Sequence, residues 1–172
     1  KANLKKDHIT ILFVGIWFER KGGRELLEAY KNLSRRHSNI SLVVIGKLPR
    51  DISISTLSNV VHKNWVERKK LMNFYFPKAD IFVLDPPKAE GYGFVVTEAM
   101  SFGIPCIVSE VGALPELVED GKSGFVVKPG SVSALEKALE ELIVNKSLRM
   151  KFGKNARMRY LEKFTIRESQ KK

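Results

Sequence analysis

The sequence is poor in the side chains that build disulfides and metal sites. Of its 172 residues, one is a cysteine, Cys106, and three are histidines. A single cysteine excludes an internal disulfide, and His8, His37 and His62 are too scattered for a zinc-type ligand pattern. The sequence therefore argues against a disulfide-stapled scaffold and against a Cys/His metal catalyst.

Long apolar runs are also missing. No segment approaches the roughly 18 apolar residues that a membrane-spanning helix needs. Residues 9–18 follow Lys5 and Lys6 and superficially resemble a signal peptide, but charged residues follow at once, without a small-residue cleavage site. We interpret this segment as a buried strand and expect a soluble protein from a reducing compartment.

Acidic residues are few relative to basic residues: the chain has 19 Asp and Glu and 30 Lys and Arg, for a net charge of +11. The excess lies in residues 1–50 and 151–172. A solvated helix face with a basic tail explains it most simply, whereas a functional explanation needs an anionic partner: nucleic acid, a phospholipid surface or a phosphate-bearing small molecule. Because no stacking-aromatic or recognition-helix pattern is present, we expect no nucleic-acid partner.

Apolar segments of strand length alternate with helical periodicity along the chain, a pattern typical of a parallel sheet with helical crossovers. The predicted strands are ITILFV, which ends at Gly15, then SLVVIG, NVVHK, DIFVLD, IPCIVS and SGFVVKP. The predicted helices cover residues 23–36, 67–76, 94–102, 131–145 and 147–163, with a short one at ALPELVED. The sequence thus predicts one α/β domain, a doubly wound Rossmann-like three-layer parallel sheet of about six strands.

Local signals mark the helix boundaries. Pro77 should close the helix over residues 67–76, and Gly103 should stop the helix that begins near Phe94. Ser133 and Glu136 fit a capping box in the helix over residues 131–145. In such folds ligands bind beyond the carboxyl ends of the strands, so we expect chemistry in the loops that follow them.

The loop and helix after the fourth strand contain two glutamates eight positions apart. Glu90 lies in a Pro- and Gly-rich loop, and Glu98 lies about one turn inside an apolar helix, where an unpaired carboxylate is costly. We therefore expect Glu98 to have a partner. Taken singly, Glu90 fits a solvated loop residue, and Glu98 fits a local pair with a lysine.

The residues between the two acids favour an anion site. Gly91 and Gly93 allow close approach of the backbone, and the amides of Phe94 and Val95 open a helix whose N-terminus attracts phosphate. A carboxylate repels phosphate but accepts two hydrogen bonds from vicinal hydroxyls. The pattern therefore predicts a ligand with sugar or ribose hydroxyls on either side of a diphosphate.

The segment EGYGFVVTEAMSFGIPCIVSEVGALPELVEDGKSGFVVKPG resembles the donor-site segment of retaining, nucleotide-sugar-dependent glycosyltransferases of group 1 (family 4, GT-B fold). That family has two glutamates separated by seven residues, then a small-Gly-x-Pro strand and a Pro-Glu-x-Val helix. The resemblance extends from the first strand to about Phe164 and is to the second, donor-binding domain of that fold. It implies that residues 1–172 are a fragment of a longer two-domain enzyme, lack the N-terminal domain that holds the acceptor, and catalyse little alone.

The resemblance also implies roles for individual residues. Glu90 would be catalytic, by contacting the donor-sugar hydroxyls, and Glu98 would hold the ribose. Backbone amides for the sugar and the diphosphate would come from Tyr92, Gly93, Phe94 and Val95. Gly15 would lie at the donor site, and the backbone near Val66, with residues 46 and 47, would border the nucleotide base.

The loop GIWFERKGG departs from the family pattern at one position. Lys21 and Gly22 match a Lys-Gly pair that grips the donor diphosphate, which would make Lys21 the second catalytic residue. The position of the family's arginine is occupied by Ile16, and an apolar side chain cannot neutralise a leaving diphosphate. Arg20 and Arg24 are the two candidates to replace it.

The implied reaction transfers a hexose from a UDP- or GDP-linked donor to a glycan or lipid-linked acceptor with retention of configuration, in polysaccharide or glycolipid biosynthesis. No Asp-x-Asp pair occurs, so we expect no metal and no cofactor besides the donor. The alternatives are a nucleotide-sugar epimerase or hydrolase of similar architecture, and a non-catalytic basic module that binds nucleic acid or a partner. We expect a cytoplasmic location, and the basic ends suit peripheral attachment to the cytoplasmic face of an anionic membrane.

Overall fold

A six-stranded parallel sheet forms the centre of the molecule, of which the computed structural model describes residues 7–165. The strands are β1 (Ile9–Trp17), β2 (Ile40–Lys47), β3 (Val60–Lys63), β4 (Ile81–Leu84), β5 (Cys106–Ser109) and β6 (Gly124–Val127). Their order is β3-β2-β1-β4-β5-β6, and all neighbouring pairs are parallel. The strand order reverses between β1 and β4, which in doubly wound sheets marks a ligand crevice at the carboxyl ends.

Helices cover both faces of the sheet. They are α1 (Gly23–Ser34), α2 (Arg68–Lys70), α3 (Phe76–Lys78), α4 (Phe94–Ser101), α5 (Leu114–Leu117), α6 (Val132–Val144) and α7 (Lys146–Lys163). Helices α1 and α6 pack against each other over one face, and α4 contacts α7 over the other. The prediction of a doubly wound Rossmann-like α/β fold with three layers and six strands is confirmed.

Alternation along the strands fills a separate core on each face. In β1, Ile11 and Phe13 point to the core beneath α1 and α6, whereas Leu12 points to the core beneath α4. All three side chains are buried, and each contributes about 1.5–3 kcal/mol by leaving water. Because helices cover both faces, the strands are apolar at successive positions, as is usual in buried parallel sheets.

Strand β1 continues two residues past its predicted end at Gly15. The pairing of β1 with β2 shifts register between Val14 and Trp17, and Trp17 pairs with Lys47 at the end of β2. The neighbouring strand thus supplies backbone partners that the local sequence does not reveal. The extension leaves Ile16 and Trp17 exposed at the carboxyl edge of the sheet.

Pro77 does not close the helix that precedes it, so that prediction was wrong. The helix begins at Arg68, passes through a π-helical segment (Leu71–Tyr75) and ends with α3 at Lys78. Pro77 is the next-to-last residue of this continuous helix, so its missing N–H group removes at most one backbone hydrogen bond at the helix end.

Helix α6 is capped by a different serine from the predicted one. The Oγ atom of Ser131, not that of Ser133, accepts a hydrogen bond of 3.2 Å from an amide in the first turn. The Glu136 carboxylate accepts a hydrogen bond of 2.9 Å from the Asn32 side chain on α1. With Ser131 as the N-cap, the third residue of the helix is Ala134 and Glu136 lies further along it, so the capping-box prediction was wrong.

Within residues 7–165, no helix combines the length and the apolar character needed to cross a membrane. Part of the basic ends to which we assign a membrane role, including Lys5 and Lys6, lies outside the described residues.

The crossing of α7 over the turn that follows α4 generates a stability prediction. A Cβ atom at Gly153 would lie 2.3 Å from the carbonyl oxygen of Gly103. Overpacking costs about 1–3 kcal/mol and exceeds the gain of about 1 kcal/mol in helix propensity, because backbone cannot move aside as a side chain can. We expect Gly153→Ala to lower the free energy of unfolding in a urea titration. The exposed neighbour Lys154 provides the control, since Lys154→Ala should change little; equal stability of the two variants would contradict the predicted overlap.

Candidate functional site

The loop after β1 is held against the end of β4 by direct backbone contact. The amide of Asp85 donates a hydrogen bond of 3.2 Å to the Lys21 carbonyl. Gly22 has a φ of +83°, and a Cβ atom there would lie 1.9 Å from the Asp85 carbonyl oxygen. Only glycine allows this approach without strain. The contact fixes the backbone of Lys21 beside the loop that follows β4.

Lys21 and Glu90, the two predicted catalytic residues, form an ion pair between Nζ and Oε2. Their side chains are 15% and 5% exposed, so the interpretation of Glu90 as a solvated loop residue is wrong. The second carboxylate oxygen, Oε1, accepts a hydrogen bond of 3.0 Å from the Gly91 amide. The stem of Lys21 crosses β1 at Gly15, where a Cβ atom would lie 2.9 Å from the lysine Cγ. Gly15, a predicted donor-site residue, therefore makes room for Lys21.

A second backbone contact supports Glu90 from the other side. A Cβ atom at Gly112, in the loop after β5, would lie 2.4 Å from the carbonyl oxygen of Glu90. Gly112 was not among the predicted site residues. Gly112 lies in the segment that carries the family resemblance, but its local sequence does not indicate that it contacts Glu90, 22 positions earlier.

Helix α4 begins directly after the loop that contains Glu90. Gly93 is its N-cap, with a left-handed φ of 75°, and a Cβ atom there would lie 2.7 Å from Cδ2 of Leu114. The amides of Phe94 and Val95 belong to the first turn, where the helix offers no acceptor. The exposed rings of Tyr92 and Phe94 lie 4.7 Å apart between centroids. The predicted anion site is thus a helix start beside the Lys21–Glu90 pair.

Glu98 has a partner, as expected, but the partner is an arginine from another helix rather than a nearby lysine. Its Oε1 lies 2.5 Å from a guanidinium nitrogen of Arg68, the first residue of α2. The Glu98 side chain is 20% exposed and that of Arg68 is 71% exposed. The pair therefore joins a largely buried acid to a cation that remains accessible.

Arg68 lines a cavity of about 230 Å³ at the carboxyl ends of β1 and β2. The cavity is also lined by Val14, Ile16, Gly46, Trp65 and Val66. Two of the residues predicted to border a nucleotide base, Gly46 and Val66, are therefore neighbours here. Lys47, the third, lines the adjoining groove instead.

The two arginines predicted to replace the missing cation lie elsewhere. Arg24 binds Glu19 at 2.5 Å and Asp51 at 2.7 Å on the exposed side of α1. Arg20 lines the adjoining groove, which it shares with Ile16 and Lys47. Across the described residues, no group of three or more His, Cys, Asp and Glu side chains could hold a metal ion.

A buried carboxyl group that the sequence analysis did not single out lies under the site. Asp85 is fully buried, and neither of its carboxyl oxygens has a hydrogen-bond partner within residues 7–165. Burial, reinforced by the negative charge of Glu25, raises the pKa of Asp85 to about 7. The Oε2 atom of Glu25 is likewise buried and unpartnered in this part of the chain. Asp85 thus holds a proton at a pH where ordinary aspartates are ionised.

Asp85 should make stability depend on pH. Between its ordinary pKa of 3.8 and about 7, the folded chain keeps this proton while the unfolded chain has lost it, so the free energy of unfolding falls as pH rises. Asp85→Asn, a neutral replacement of the same shape, removes this dependence. From pH 4 to pH 7, we expect the free energy of unfolding of the wild type to fall relative to that of Asp85→Asn by on the order of a few kcal/mol. Urea unfolding at several pH values measures it; a constant difference would show that Asp85 is ionised throughout.

Comparisons with known proteins identify the family of the chain. Residues 1–159 match the family described as glycosyl transferases group 1. The capsular polysaccharide biosynthesis glycosyltransferase CapM of Staphylococcus aureus is 32% identical over 167 residues, which cover 94% of this chain and 44% of CapM. The chain spans less than half the length of the first curated relatives that it matches.

Solved structures show the same fold. The C-terminal domain of a group 1 glycosyltransferase, LpcC of Francisella tularensis, has a TM-score of 0.81 at 25% identity, with 92% of this chain and 87% of that domain covered. Anabaena HepE in complex with UDP-glucose also has a TM-score of 0.81, at 19% identity, with 95% of this chain and 47% of HepE covered. The family match spans most of the chain and the fold is that of the Francisella domain, so the chain belongs to the group 1 glycosyltransferases.

Proposed function

We propose that this chain is the donor-binding domain of a longer, two-domain glycosyltransferase that uses a nucleotide sugar. The observation that carries the proposal is the nearly solvent-free ion pair between Lys21 and Glu90 beside the start of α4. Its two partners need different groups from a ligand. The ammonium group requires an anion, and the carboxylate requires hydroxyl donors.

A nucleotide sugar supplies both kinds of group in the right order. Its diphosphate offers oxygens to Lys21 and to the free amides of Phe94 and Val95. The hydroxyls of the transferred sugar lie on one side of that diphosphate, where they donate hydrogen bonds to Glu90. The ribose lies on the other side, where its hydroxyls donate hydrogen bonds to Glu98. The backbone near Val66 then borders the base. The binding of UDP-glucose by HepE, which has the same fold, supports a UDP-linked donor, with GDP as the other candidate.

The acceptor is a glycan or a lipid-linked sugar in polysaccharide or glycolipid biosynthesis. The similarity to CapM, a glycosyltransferase of capsular polysaccharide biosynthesis, supports this class. We assign the acceptor site to an N-terminal domain of the same polypeptide, because the relatives are more than twice as long as the matched region. The enzyme would work in the cytoplasm, at the face of an anionic membrane when its acceptor is lipid-linked.

The reaction transfers a hexose with its anomeric configuration retained. The bond between the anomeric carbon and the diphosphate oxygen breaks, and its electron pair stays on that oxygen. The acceptor oxygen bonds to the anomeric carbon on the same face, and its proton passes to the departing diphosphate. Lys21 and the α4 amides stabilise the charge that develops on the leaving group, in place of a metal ion. Glu90 positions the sugar and forms no covalent bond with it.

Removing the Glu90 carboxylate tests the site. In the full-length enzyme, Glu90→Ala should lower turnover at least tenfold, since one positioning contact of a charged group is worth about 1.5–3 kcal/mol. The exposed Glu141 on α6 provides a matched control, because it lies outside both ion pairs and outside the segment that carries the family resemblance. Far-UV circular dichroism checks that both variants are folded. Wild-type turnover in folded Glu90→Ala would refute the assignment.

The stereochemistry and the need for an acceptor distinguish a transferase from an epimerase or hydrolase. With UDP-glucose and an acceptor extract, the full-length enzyme should form an α-linked product, identified by the anomeric proton coupling in NMR, and EDTA should leave the rate unchanged. With donor alone, the sugar should be neither epimerised nor released at a comparable rate. A β-linked product would exclude retention, and rapid turnover of donor alone would favour the epimerase or hydrolase.

A further inference from the structure

We infer that Arg68 binds the diphosphate of the nucleotide sugar, as the second cation of the site beside Lys21. The inference rests on the proposed function, and it assigns to α2 a role for which the sequence analysis had considered only Arg20 and Arg24. It starts from the ion pair of Arg68 with Glu98 and from the cavity that Arg68 shares with Ile16.

The end of β1 places Arg68 and Lys21 near each other. Val14 and Ile16 line the cavity that Arg68 also lines, and Gly15, the residue between them, is in contact with Lys21. Neighbouring residues of a strand lie about 3.3 Å apart along its axis, so both cations border the same strand end. A diphosphate that reaches Lys21 therefore lies within the span of a long arginine side chain.

Binding of a ribose at Glu98 changes what Arg68 pairs with. The hydroxyls that occupy the Glu98 carboxylate displace the guanidinium, which then has no anion of its own. The Arg68 side chain is 71% exposed and sits at the first residue of α2, so it turns without disturbing the core. Its planar fork of donors matches two oxygens of a phosphate. The nucleotide thus gives each member of the ion pair a new partner: the ribose hydroxyls bind Glu98, and the diphosphate binds Arg68.

The other arginines near this edge do not meet these conditions. Arg24 is held by Glu19 and Asp51, away from the cavity. Arg20 borders Ile16 from the adjoining groove, but it makes no contact with either predicted donor-binding acid among the described residues. Arg20 is therefore the matched control, since it carries the same charge near the same position.

Calorimetric titration of the chain with a nucleotide and with its nucleoside tests the inference. Wild type is titrated with UDP, GDP, uridine and guanosine to identify the base, and then three variants are compared: Arg68→Gln, Arg20→Gln, and Arg68→Gln combined with Ile16→Arg. We expect Arg68→Gln to weaken binding of the diphosphate about tenfold or more, while nucleoside affinity is kept or improved because Glu98 is no longer occupied. Arg20→Gln should bind both ligands as wild type does. In the double variant, the added Ile16→Arg should restore the affinity for the diphosphate that Arg68→Gln alone loses.

Each other outcome identifies what is wrong. Equal affinity of Arg68→Gln and wild type for the diphosphate overturns the role of Arg68. An equal loss of nucleotide and nucleoside binding overturns it as well, because it shows that Arg68 shapes the pocket and does not contact phosphate. A loss confined to Arg20→Gln assigns the second cation to Arg20. If wild type binds neither nucleotide, the proposed function itself fails.

Discussion

The ion pair between Lys21 and Glu90 is the interaction on which the site depends. A nearly desolvated ion pair contributes little to stability, because removing two charges from water offsets most of their attraction. Such a pair persists only where the surrounding backbone dictates it. Here Gly22 lies against the end of β4 and Gly112 lies against the Glu90 backbone, so both charged residues are held in place by main-chain contacts that no larger residue allows.

The parallel sheet explains why these contacts occur at one edge. All six strands end on the same side, and the loops after β1, β4 and β5 meet there. Two acid–cation pairs result, one on each side of the start of α4: Lys21 with Glu90, and Arg68 with Glu98. In both, the acid is the more buried member, so its orientation is fixed while the cation has more freedom. An arrangement of this kind suits a ligand that carries hydroxyls for the acids and phosphates for the cations.

The sequence alone predicted the parts of the fold that are set by local pattern. Apolar segments of strand length and helical periodicity identify the six strands and the fold class, and the need for a partner at Glu98 follows from its apolar helix. Contacts between distant segments could not be predicted. Lys21 and Glu90 are 69 positions apart, and nothing near Arg68 indicates that it reaches α4. The capping error has a local cause: Ser131 and Ser133 are both favourable N-cap residues, and the helix begins after Ser131, two residues earlier than the predicted box requires.

A crystal structure of the chain with bound UDP-glucose would examine the exchange of partners directly. The Lys21 ammonium should have left the Glu90 carboxylate for a diphosphate oxygen, with hydroxyls of the glucose within hydrogen-bond distance of Glu90 in its place. If the nucleotide sugar is bound while Lys21 and Glu90 remain paired with each other, this ion pair has a structural role and does not bind the donor, which would contradict the account.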